Sequence, residues 1–304
     1  MTVGEGEAGP RDQGLGRRSV PPAGPPLPAG ARDVRRIGGG DINEAYRVTL
    51  ADGRDAFVKT RSQTIPGEYA AEAAGLRWLA EPGFVRTPAV LEVDEGWLAL
   101  EWVEPGGLSD EGAEELGAAL AGTHLAGAER FGAPPGASLD TGFGSLRLPN
   151  EPTDDWPSFY AQRRLLPLAR IARERGALSD AGARAVEGVC ARIEELCGPP
   201  EPPSRLHGDL WGGNVLGASD GRAWLIDPSC YGGHREVDLA MLRLFGGRAG
   251  TRSRIFDAYE ETAPLAAGAE ERVELYQLAP LLVHAALFGG SYGAAAERAA
   301  RRYV

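Results

Sequence analysis

Lysine is almost absent from this 304-residue chain: of its 32 lysine and arginine residues, only Lys59 is a lysine. Cysteine is also scarce, with Cys190, Cys197 and Cys230 alone. Three cysteines cannot form a complete set of disulfides, and these lack the paired spacing of a zinc site. No apolar segment follows a basic start at the N-terminus, as a secretory signal would require. These absences favour a cytoplasmic protein.

Positive charge is in short supply overall, and the net charge is −11 at pH 7. This acidic balance argues against a nucleic-acid-binding protein, which usually presents a basic face. An uncharged stretch over residues 278–296 resembles a membrane span, but Pro280 and several glycines interrupt it. A buried helix that ends near Gly289 is the better interpretation, so no membrane contact is expected.

Composition and apolar periodicity divide the chain into three regions. Residues 1–30 are rich in glycine, proline and charge, which predicts a disordered tail. Residues 31–103 predict three strands, a helix over residues 67–80 and two further strands. After a Pro-Gly-Gly segment, residues 104–304 are mostly helical in pattern. A β-rich segment is therefore followed by a larger helical one.

The strongest local signal lies in residues 206–215, which have the His-x-Asp-x-x-x-x-Asn spacing of a kinase catalytic loop. In such a loop the aspartate, here Asp209, accepts a proton from the attacking hydroxyl. The asparagine five positions on, Asn214, reaches a magnesium ion. Asp227 ends an apolar strand 18 residues after Asp209 and offers a second oxygen ligand. Each residue alone could merely cap a turn, but all three at these offsets favour the catalytic interpretation.

Lys59 is the second signal, because a lysine kept in an arginine-rich chain is expected where a guanidinium will not serve. It lies in the third predicted strand, between a glycine run and a helix, where a kinase lysine belongs. Glu68 and Glu72 lie one turn apart on one face of that helix, so either could pair with Lys59. Glu72 is preferred because it is in the middle of the helix.

The glycine run between the first two predicted strands consists of Gly38, Gly39 and Gly40, followed by Asp41. Adjacent glycines let backbone N–H groups approach phosphate oxygens. The run lacks the Gly-Lys-Ser/Thr ending of a Walker A loop, which disfavours an ordinary P-loop fold. Its position relative to Lys59 makes it a candidate phosphate site.

A polar cluster of His234, Glu236 and Asp238 leads into an apolar helix face. Asp238 either caps that helix or holds the catalytic loop by hydrogen bonds. His234 and Glu236 are candidate substrate contacts, although a structural role for Glu236 is at least as well supported. Trp211, inside the catalytic loop, either stacks on substrate or packs the loop. His284 lies on an apolar helix face and is interpreted as a packed core residue.

Together these motifs resemble the fructosamine kinase (ketosamine-3-kinase) family, in the aminoglycoside phosphotransferase-like branch of the protein-kinase-like fold. The resemblance is carried by residues 206–215, 225–228 and 231–247, with Asp-Leu-Trp-Gly-Gly-Asn among its most specific parts. It covers the chain from about residue 33 to the end. It implies a two-lobed α+β fold. Residues 31–103 would form an ATP-binding antiparallel sheet with one main helix, and residues 104–304 a mainly helical catalytic lobe.

The resemblance also implies a function, namely ATP- and Mg²⁺-dependent phosphorylation of a ketosamine, or glycated amine, at O3 of the sugar. Such products eliminate and release the amine, so the activity leads to deglycation. Asp209 would be the catalytic base, and Asn214 and Asp227 would bind Mg²⁺. The residues expected to contact or orient ATP are Gly38, Gly39, Gly40, Asp41, Lys59, Glu72, Glu101 and Val103, of which the last two would reach adenine through the backbone.

Two other functions stay open on the sequence alone. A related kinase could act on another small-molecule hydroxyl, such as that of an aminoglycoside or an amino alcohol. A catalytically silent pseudokinase could serve as a binding module, although the filled catalytic positions argue against it. Turnover of a substrate panel would separate these possibilities. The sequence does not indicate the oligomeric state.

Overall fold

The computed structural model describes residues 26–38, 44–61, 63–134, 137, 140–143, 145–247 and 249–304. Its N-terminal part contains a five-stranded antiparallel sheet with the strand order β1-β2-β3-β5-β4. The strands are β1 (Arg32–Ile37), β2 (Glu44–Thr49), β3 (Asp55–Thr60), β4 (Val90–Val93) and β5 (Trp97–Glu101). Helix α1 (Glu68–Ala80) joins β3 to β4. The predicted order of three strands, a helix and two strands is confirmed.

Alternation along β3 and β5 gives the sheet two apolar faces. Val58 packs on one face with Ala99, whereas Phe57 lies on the opposite face with Leu98, against residues of α1. Lys59 follows Phe57 by two residues, so its side chain lies on the α1 face of the sheet. The strand period thus directs the single lysine toward the helix that carries its candidate partners.

Within residues 26–30, predicted to belong to a disordered tail, Leu27 is half-buried and Pro28 is buried. Leu27 lies against the apolar face of the sheet that contains Val58. The carbonyl of Pro28 accepts a hydrogen bond from the N–H of Ala31 at 3.1 Å. The low apolar content of the region as a whole concealed this short contact. The predicted tail over residues 1–25 lies outside the described residues.

The larger part of the chain is mainly helical. Its helices are α2 (Asp110–Ala126), α3 (Trp156–Phe159), α4 (Leu166–Glu174), α5 (Asp180–Ala191), α6 (Ile193–Leu196), α7 (Glu236–Phe245), α8 (Ala249–Thr262), α9 (Ala269–Phe288) and α10 (Tyr292–Ala300). A π-helical segment, Tyr160–Leu165, connects α3 to α4. Ser109 caps α2 by accepting from the N–H of Gly112 at 2.9 Å. Among the described residues, none of the helices combines the length and apolarity that a bilayer crossing requires.

Three two-stranded antiparallel pairs complete the structure: β6 with β7, β8 with β11 and β9 with β10. These strands are β6 (Asp140–Phe143), β7 (Leu146–Pro149), β8 (Ser204–Leu206), β9 (Val215–Gly217), β10 (Ala223–Leu225) and β11 (Tyr231–Gly233). The kinase-like loop over residues 207–214 joins β8 to β9. Sequence patterns did not predict the β6–β7 hairpin, α8 or α10. Helix α10 is built mostly from alanine, which gives little apolar periodicity.

Candidate active site

A cavity of about 600 Å³ opens between the sheet, α1, the kinase-like loop, the segment after β10 and the end of α9. It brings together seven of the residues predicted to form a site. Those that line it are Gly38, Lys59, Glu72, Asp209, Trp211, Asn214 and Asp227. The predicted phosphate contacts Gly39, Gly40 and Asp41 lie outside the described residues.

Lys59 is buried at one side of this cavity between two carboxylates. Its Nζ pairs with Oε2 of Glu72 and lies 2.9 Å from Oδ1 of Asp227. Glu68 instead pairs with Arg61 at 3.1 Å, in agreement with the preference for Glu72. Burial opposes the charged ammonium, but Asp227 and Glu72 outweigh this effect and hold the pKa of Lys59 above its usual value. The lysine is therefore a fixed positive charge that joins α1 to the segment after β10.

Asp209 and Asn214 face each other across a tight turn of the loop. The Nδ2 of Asn214 donates to the backbone oxygen of Asp209 at 2.8 Å and to its Oδ2 at 3.1 Å. Burial raises the pKa of Asp209 to about 7, with Asp227 and Asp238 adding to the effect and the Asn214 hydrogen bond opposing it. A carboxyl group with a pKa near the working pH suits proton transfer.

The kinase-like loop is held from below by Asp238, which is fully buried. Its carboxylate accepts from the N–H groups of His207 at 2.8 Å and Gly208 at 2.9 Å. A third contact joins Oδ2 to Nε2 of His124 at 3.3 Å. Gly208 has a φ of 80°, and a Cβ there would lie 2.0 Å from the carbonyl oxygen of Ser229. Of the two roles considered for Asp238, the structure shows the one that holds the loop.

Asp227 follows β10 and has an unusual backbone for a non-glycine residue, with a φ of 53°. The preceding Ile226 is fixed on both sides: its carbonyl accepts from Nε2 of His207 at 2.9 Å, and its N–H donates to the carbonyl of Asn214 at 3.1 Å. Partial burial works against the ionised form, but Lys59 outweighs it and lowers the pKa of Asp227. A charged carboxylate is thus held in a strained conformation beside the lysine.

Trp211 lies at the mouth of the cavity with 41% of its surface exposed. One part of its ring packs over Gly213, where a Cβ would lie 2.2 Å from the indole. The side chain therefore packs the loop and also presents free aromatic surface to the cavity. The two interpretations of Trp211 are compatible in this geometry.

His234 and Glu236, considered as substrate contacts, do not line the cavity, and the structure corrects their placement. The ring of His234 is buried and stacks on Tyr276 with the centroids 5.1 Å apart. Glu236 forms a buried double contact with Arg272, at 2.6 and 3.0 Å. The polar residues of this motif turn inward because they join the start of α7 to α9. Sequence alone did not reveal the direction in which they face.

Glu101 and Val103, the predicted hinge contacts, also lie outside the residues that line the cavity. Glu101 ends β5, where its N–H donates to the carbonyl of Ala89 at 2.8 Å. The connection over residues 102–109 leads from there to α2 and contains the predicted lobe boundary. Adenine contacts by Glu101 and Val103 stay a prediction.

Several lining residues come from segments that carry no recognisable motif. The β6–β7 hairpin is tied down on both sides: Arg147 donates to the carbonyl of Pro66 at 2.7 Å, and the Ser229 hydroxyl donates to the carbonyl of Gly142 at 2.7 Å. His284 is hydrogen-bonded within α9 and packed, as expected, yet it also lines the cavity. The cavity residues that sequence reasoning missed include Arg61, Tyr69, Phe143, Arg147, Asn150, His284 and Phe288.

Comparison with known proteins assigns this arrangement to a family. A sequence profile described as fructosamine kinase matches residues 28–304. The "Probable ketoamine kinase" of Thermus thermophilus is 38% identical over 279 residues, which cover 91% of this chain and 93% of that protein. A crystal structure of a candidate fructosamine-3-kinase from Thermobifida fusca is 46% identical, with a TM-score of 0.82 over 90% of this chain and 94% of that chain.

More distant structures share the fold alone. The choline kinase LicA of Streptococcus pneumoniae is 16% identical, with a TM-score of 0.56 over 90% of this chain and 92% of that chain. A LicA structure in complex with AMP gives a TM-score of 0.58. The sheet with α1 and the larger helical part therefore form the two-lobed protein-kinase-like fold that the motifs implied. From the profile match, the identity to its relatives and the shared fold, we conclude that this kinase belongs to the fructosamine kinase family.

Proposed function

We propose that this protein transfers the γ-phosphoryl group of ATP to the O3 hydroxyl of a ketosamine, such as a fructosamine or ribulosamine adduct, and so leads to deglycation. The observation that carries the proposal is that Lys59, paired with two carboxylates, lines the same cavity as Asp209 and Asn214. Membership of the fructosamine kinase family supports the choice of acceptor. A cytoplasmic location, inferred from the sequence, is part of the proposal.

ATP would bind with its phosphates toward Lys59. The ammonium would contact the α- and β-phosphates, while Glu72 prevents it from turning away. Gly38, directly after β1, lies on the cavity wall where the glycine run begins. The AMP complex of LicA supports nucleotide binding in this fold. Glu101 and Val103 are the proposed backbone contacts for adenine.

The side chains present fit a magnesium ion. Asn214 and Asp227 both offer hard oxygen atoms, the kind of ligand that Mg²⁺ prefers. The Nδ2 of Asn214 is already used by Asp209, which leaves the amide oxygen for the ion. No group of three or more His, Cys, Asp or Glu suited to a metal occurs among the described residues, so phosphate oxygens and water would complete the coordination. A bound Mg²⁺ would neutralise charge on the phosphates.

Asp209 would act on the acceptor. Its carboxylate would accept the proton of the sugar hydroxyl as that oxygen forms a bond to the γ-phosphorus and the bond to the β-phosphate oxygen breaks, releasing ADP. Asn214 would hold the carboxylate in place through its 3.1 Å hydrogen bond. Trp211 would cover the sugar with its exposed face. Most of the rate enhancement would come from positioning and charge neutralisation.

The test is a side-by-side assay of ATP-dependent phosphorylation with lysine adducts of fructose, ribulose and erythrulose. Choline and an aminoglycoside serve as controls for the related kinase activities. We expect at least one ketosamine to be phosphorylated at O3, as read by NMR of the product. Turnover of choline or the aminoglycoside with no ketosamine product would overturn the proposal, as would a complete lack of Mg·ATP-dependent turnover.

A further inference from the structure

Arg164, in the π-helical segment, is a buried cation with no carboxylate partner. Only 1% of it is exposed, and no acidic side chain lies within ion-pair distance of it in the part of the chain that the structure describes. Its guanidinium is flanked by the rings of Phe159 at 4.5 Å and Tyr231 at 4.1 Å. Burying an unpaired charge is costly, so this arginine is expected to perform a task that a neutral residue would not.

The hydrogen bonds of Arg164 end on neutral acceptors close to the cavity. Nη1 donates to the carbonyls of Pro149 and Arg163, at 2.9 and 3.0 Å. Nη2 donates to Oδ1 of Asn150 at 2.8 Å, and Nε is buried without a partner. Two of the three acceptors thus belong to the end of β7 and the residue that follows it. Arg164 fixes the exit of the β6–β7 hairpin.

This contact determines which way the Asn150 amide faces. A guanidinium can only donate, so it must meet the amide oxygen, and the amide nitrogen is left on the other side. The backbone is fixed as well, because the carbonyl of Asn150 accepts from Ala133 at 2.8 Å. Asn150 is 2% exposed and lines the large cavity. Its Nδ2 donates to none of the described residues, so the amide keeps a donor at the cavity wall that a ligand oxygen can accept from.

The pair lies on the acceptor side of the site. Asn150 shares the large cavity with Asp209. Arg164 lines a small adjoining void together with Gly208 and Asp209. Phe143, from the same hairpin, lines both spaces. A molecule whose hydroxyl reaches Asp209 would therefore occupy the same cavity that Asn150 lines.

We propose that Asn150 is a specificity-determining residue whose Nδ2 donates a hydrogen bond to a hydroxyl or carbonyl oxygen on the sugar of the acceptor. Arg164 is the positioning residue that holds the amide in the donating orientation. This assignment rests on the proposed function, since it requires a polyhydroxylated acceptor next to Asp209. A neutral acceptor group is favoured over an anion, because the donor at the cavity wall is an uncharged amide and the Arg164 guanidinium contacts the other end of that amide, its oxygen.

The test compares steady-state kinetics of wild type and Asn150→Asp with a ketosamine and with ATP. Aspartate keeps the shape and gains an ion pair with Arg164, but it removes the donor. We expect kcat/KM for the ketosamine to fall about 10- to 100-fold, mostly through KM, with the KM for ATP unchanged. Arg164→Lys should raise the ketosamine KM less, and Arg163→Lys, on the neighbouring partly exposed arginine, should change neither KM.

A second readout uses deoxy analogues, a set of ketosamines in which each member lacks one hydroxyl. A purely structural role of Asn150 would not change how the enzyme discriminates among these analogues. Wild type should discriminate against one particular deoxy analogue, and Asn150→Asp should lose that discrimination alone. Asn150→Ser is the second variant if the aspartate does not fold. An active wild type with unchanged ketosamine kinetics in the folded Asn150 variant would overturn the assignment but not the proposed function. A wild type that phosphorylates no ketosamine would overturn both.

Discussion

Two polar clusters of this chain carry motif-like sequences, and the structure uses them in opposite ways. The cavity cluster consists of Lys59, Glu72, Asp209, Asn214 and Asp227. The buried cluster lies at the junction of α7 and α9 and consists of Glu201, His234, Arg235, Glu236 and Arg272. Both combine carboxylates with basic residues, and two members of the buried cluster, His234 and Glu236, were candidate substrate contacts.

The clusters differ in how completely their hydrogen-bonding capacity is used. In the buried cluster Arg272 meets Glu236 through two contacts, and Arg235 meets Glu201 at 2.8 and 2.9 Å. In the cavity cluster Asp209 has an amide neighbour and, among the described residues, no cation in ion-pair contact. The cavity cluster thus leaves the Asp209 carboxylate without a cation next to open space, whereas the buried cluster pairs its charges internally. The following predictions test this contrast.

The largest effect is expected for Asp209→Asn, which removes the proposed base from the cavity cluster. We expect kcat with a ketosamine to fall about 10³- to 10⁴-fold, because the amide cannot accept the proton. Titration calorimetry should show ATP binding within about twofold of wild type, since the phosphate contacts lie elsewhere. Near-normal turnover of the variant would show that Asp209 is not the base.

The buried cluster should respond to substitution in stability. Glu236→Gln leaves the Arg272 charge buried without a carboxylate, which should lower the free energy of unfolding by about 3–5 kcal/mol. Glu270→Gln is a matched control, because Glu270 pairs with Arg243 between the same two helices but is largely exposed. That change should cost less than about 1 kcal/mol.

Urea unfolding measures the stability of the Glu236→Gln and Glu270→Gln variants, and initial rates measure their activity. The folded fraction of Glu236→Gln should retain the specific activity of wild type. Equal destabilisation by the two substitutions would show that burial does not make the Glu236–Arg272 pair more important for stability than the exposed Glu270–Arg243 pair. A loss of activity without a loss of stability would indicate that Glu236 contributes to the active site.

Lys59→Arg should reduce kcat/KM for ATP about 10²-fold. A guanidinium is larger and planar, so it cannot replace a compact ammonium held between Glu72 and Asp227. Arg54→Lys, in the exposed β2–β3 turn, is the control for an exchange of one basic residue for the other. Wild-type kinetics in Lys59→Arg would mean that the ammonium is not required for nucleotide binding.

The smallest effect concerns the pH dependence of stability through His234. Burial lowers its pKa to about 4, against the opposing charge of Glu201. The unfolded histidine titrates near 6.5, so the unfolded state takes up the proton first. The contribution of neutral His234 to the free energy of unfolding is therefore fully present above pH about 6.5. As the pH falls toward 4, on the order of 2–3 kcal/mol of that contribution is lost.

His234→Gln should therefore show a shallower loss of stability than wild type between pH 6.5 and 4.5, measured by urea unfolding at several pH values. Other titrating groups are common to both proteins and cancel in the difference. Parallel curves for the two proteins would contradict a neutral, buried His234.

Chain-local geometry explains which parts of the site were predictable. Asp209 and Asn214 are joined by one short turn, so their spacing alone brings them together. Lys59 and Glu72 follow from strand alternation and helix periodicity, which direct each side chain to one face. Asp227 was predicted from its position after an apolar strand, 18 residues beyond Asp209, and the structure pairs that strand with β9, next to Asn214. Such short-range rules do not depend on how distant segments pack.

Residues that depend on distant packing were missed or misplaced. His234 and Glu236 stand in a motif, but α9 covers them, and nothing local indicates this. Asn150 directly follows the β6–β7 hairpin, which no pattern predicted, and its orientation is set by Arg164 through a contact 14 positions away in sequence. Arg164 is a basic residue among apolar helix positions, and this placement was the sequence feature that could have pointed to its role.

The sequence by itself determined the family, the order of the elements around Lys59 and the identities of the loop residues that meet Mg²⁺ and the acceptor in the proposed scheme. These depend on residue type, spacing and the periods of strand and helix. Only the tertiary structure decided which charges are satisfied internally and which face the cavity. Burial and pairing depend on every element packed around a side chain, and for Asp209 that environment raises the pKa to about 7.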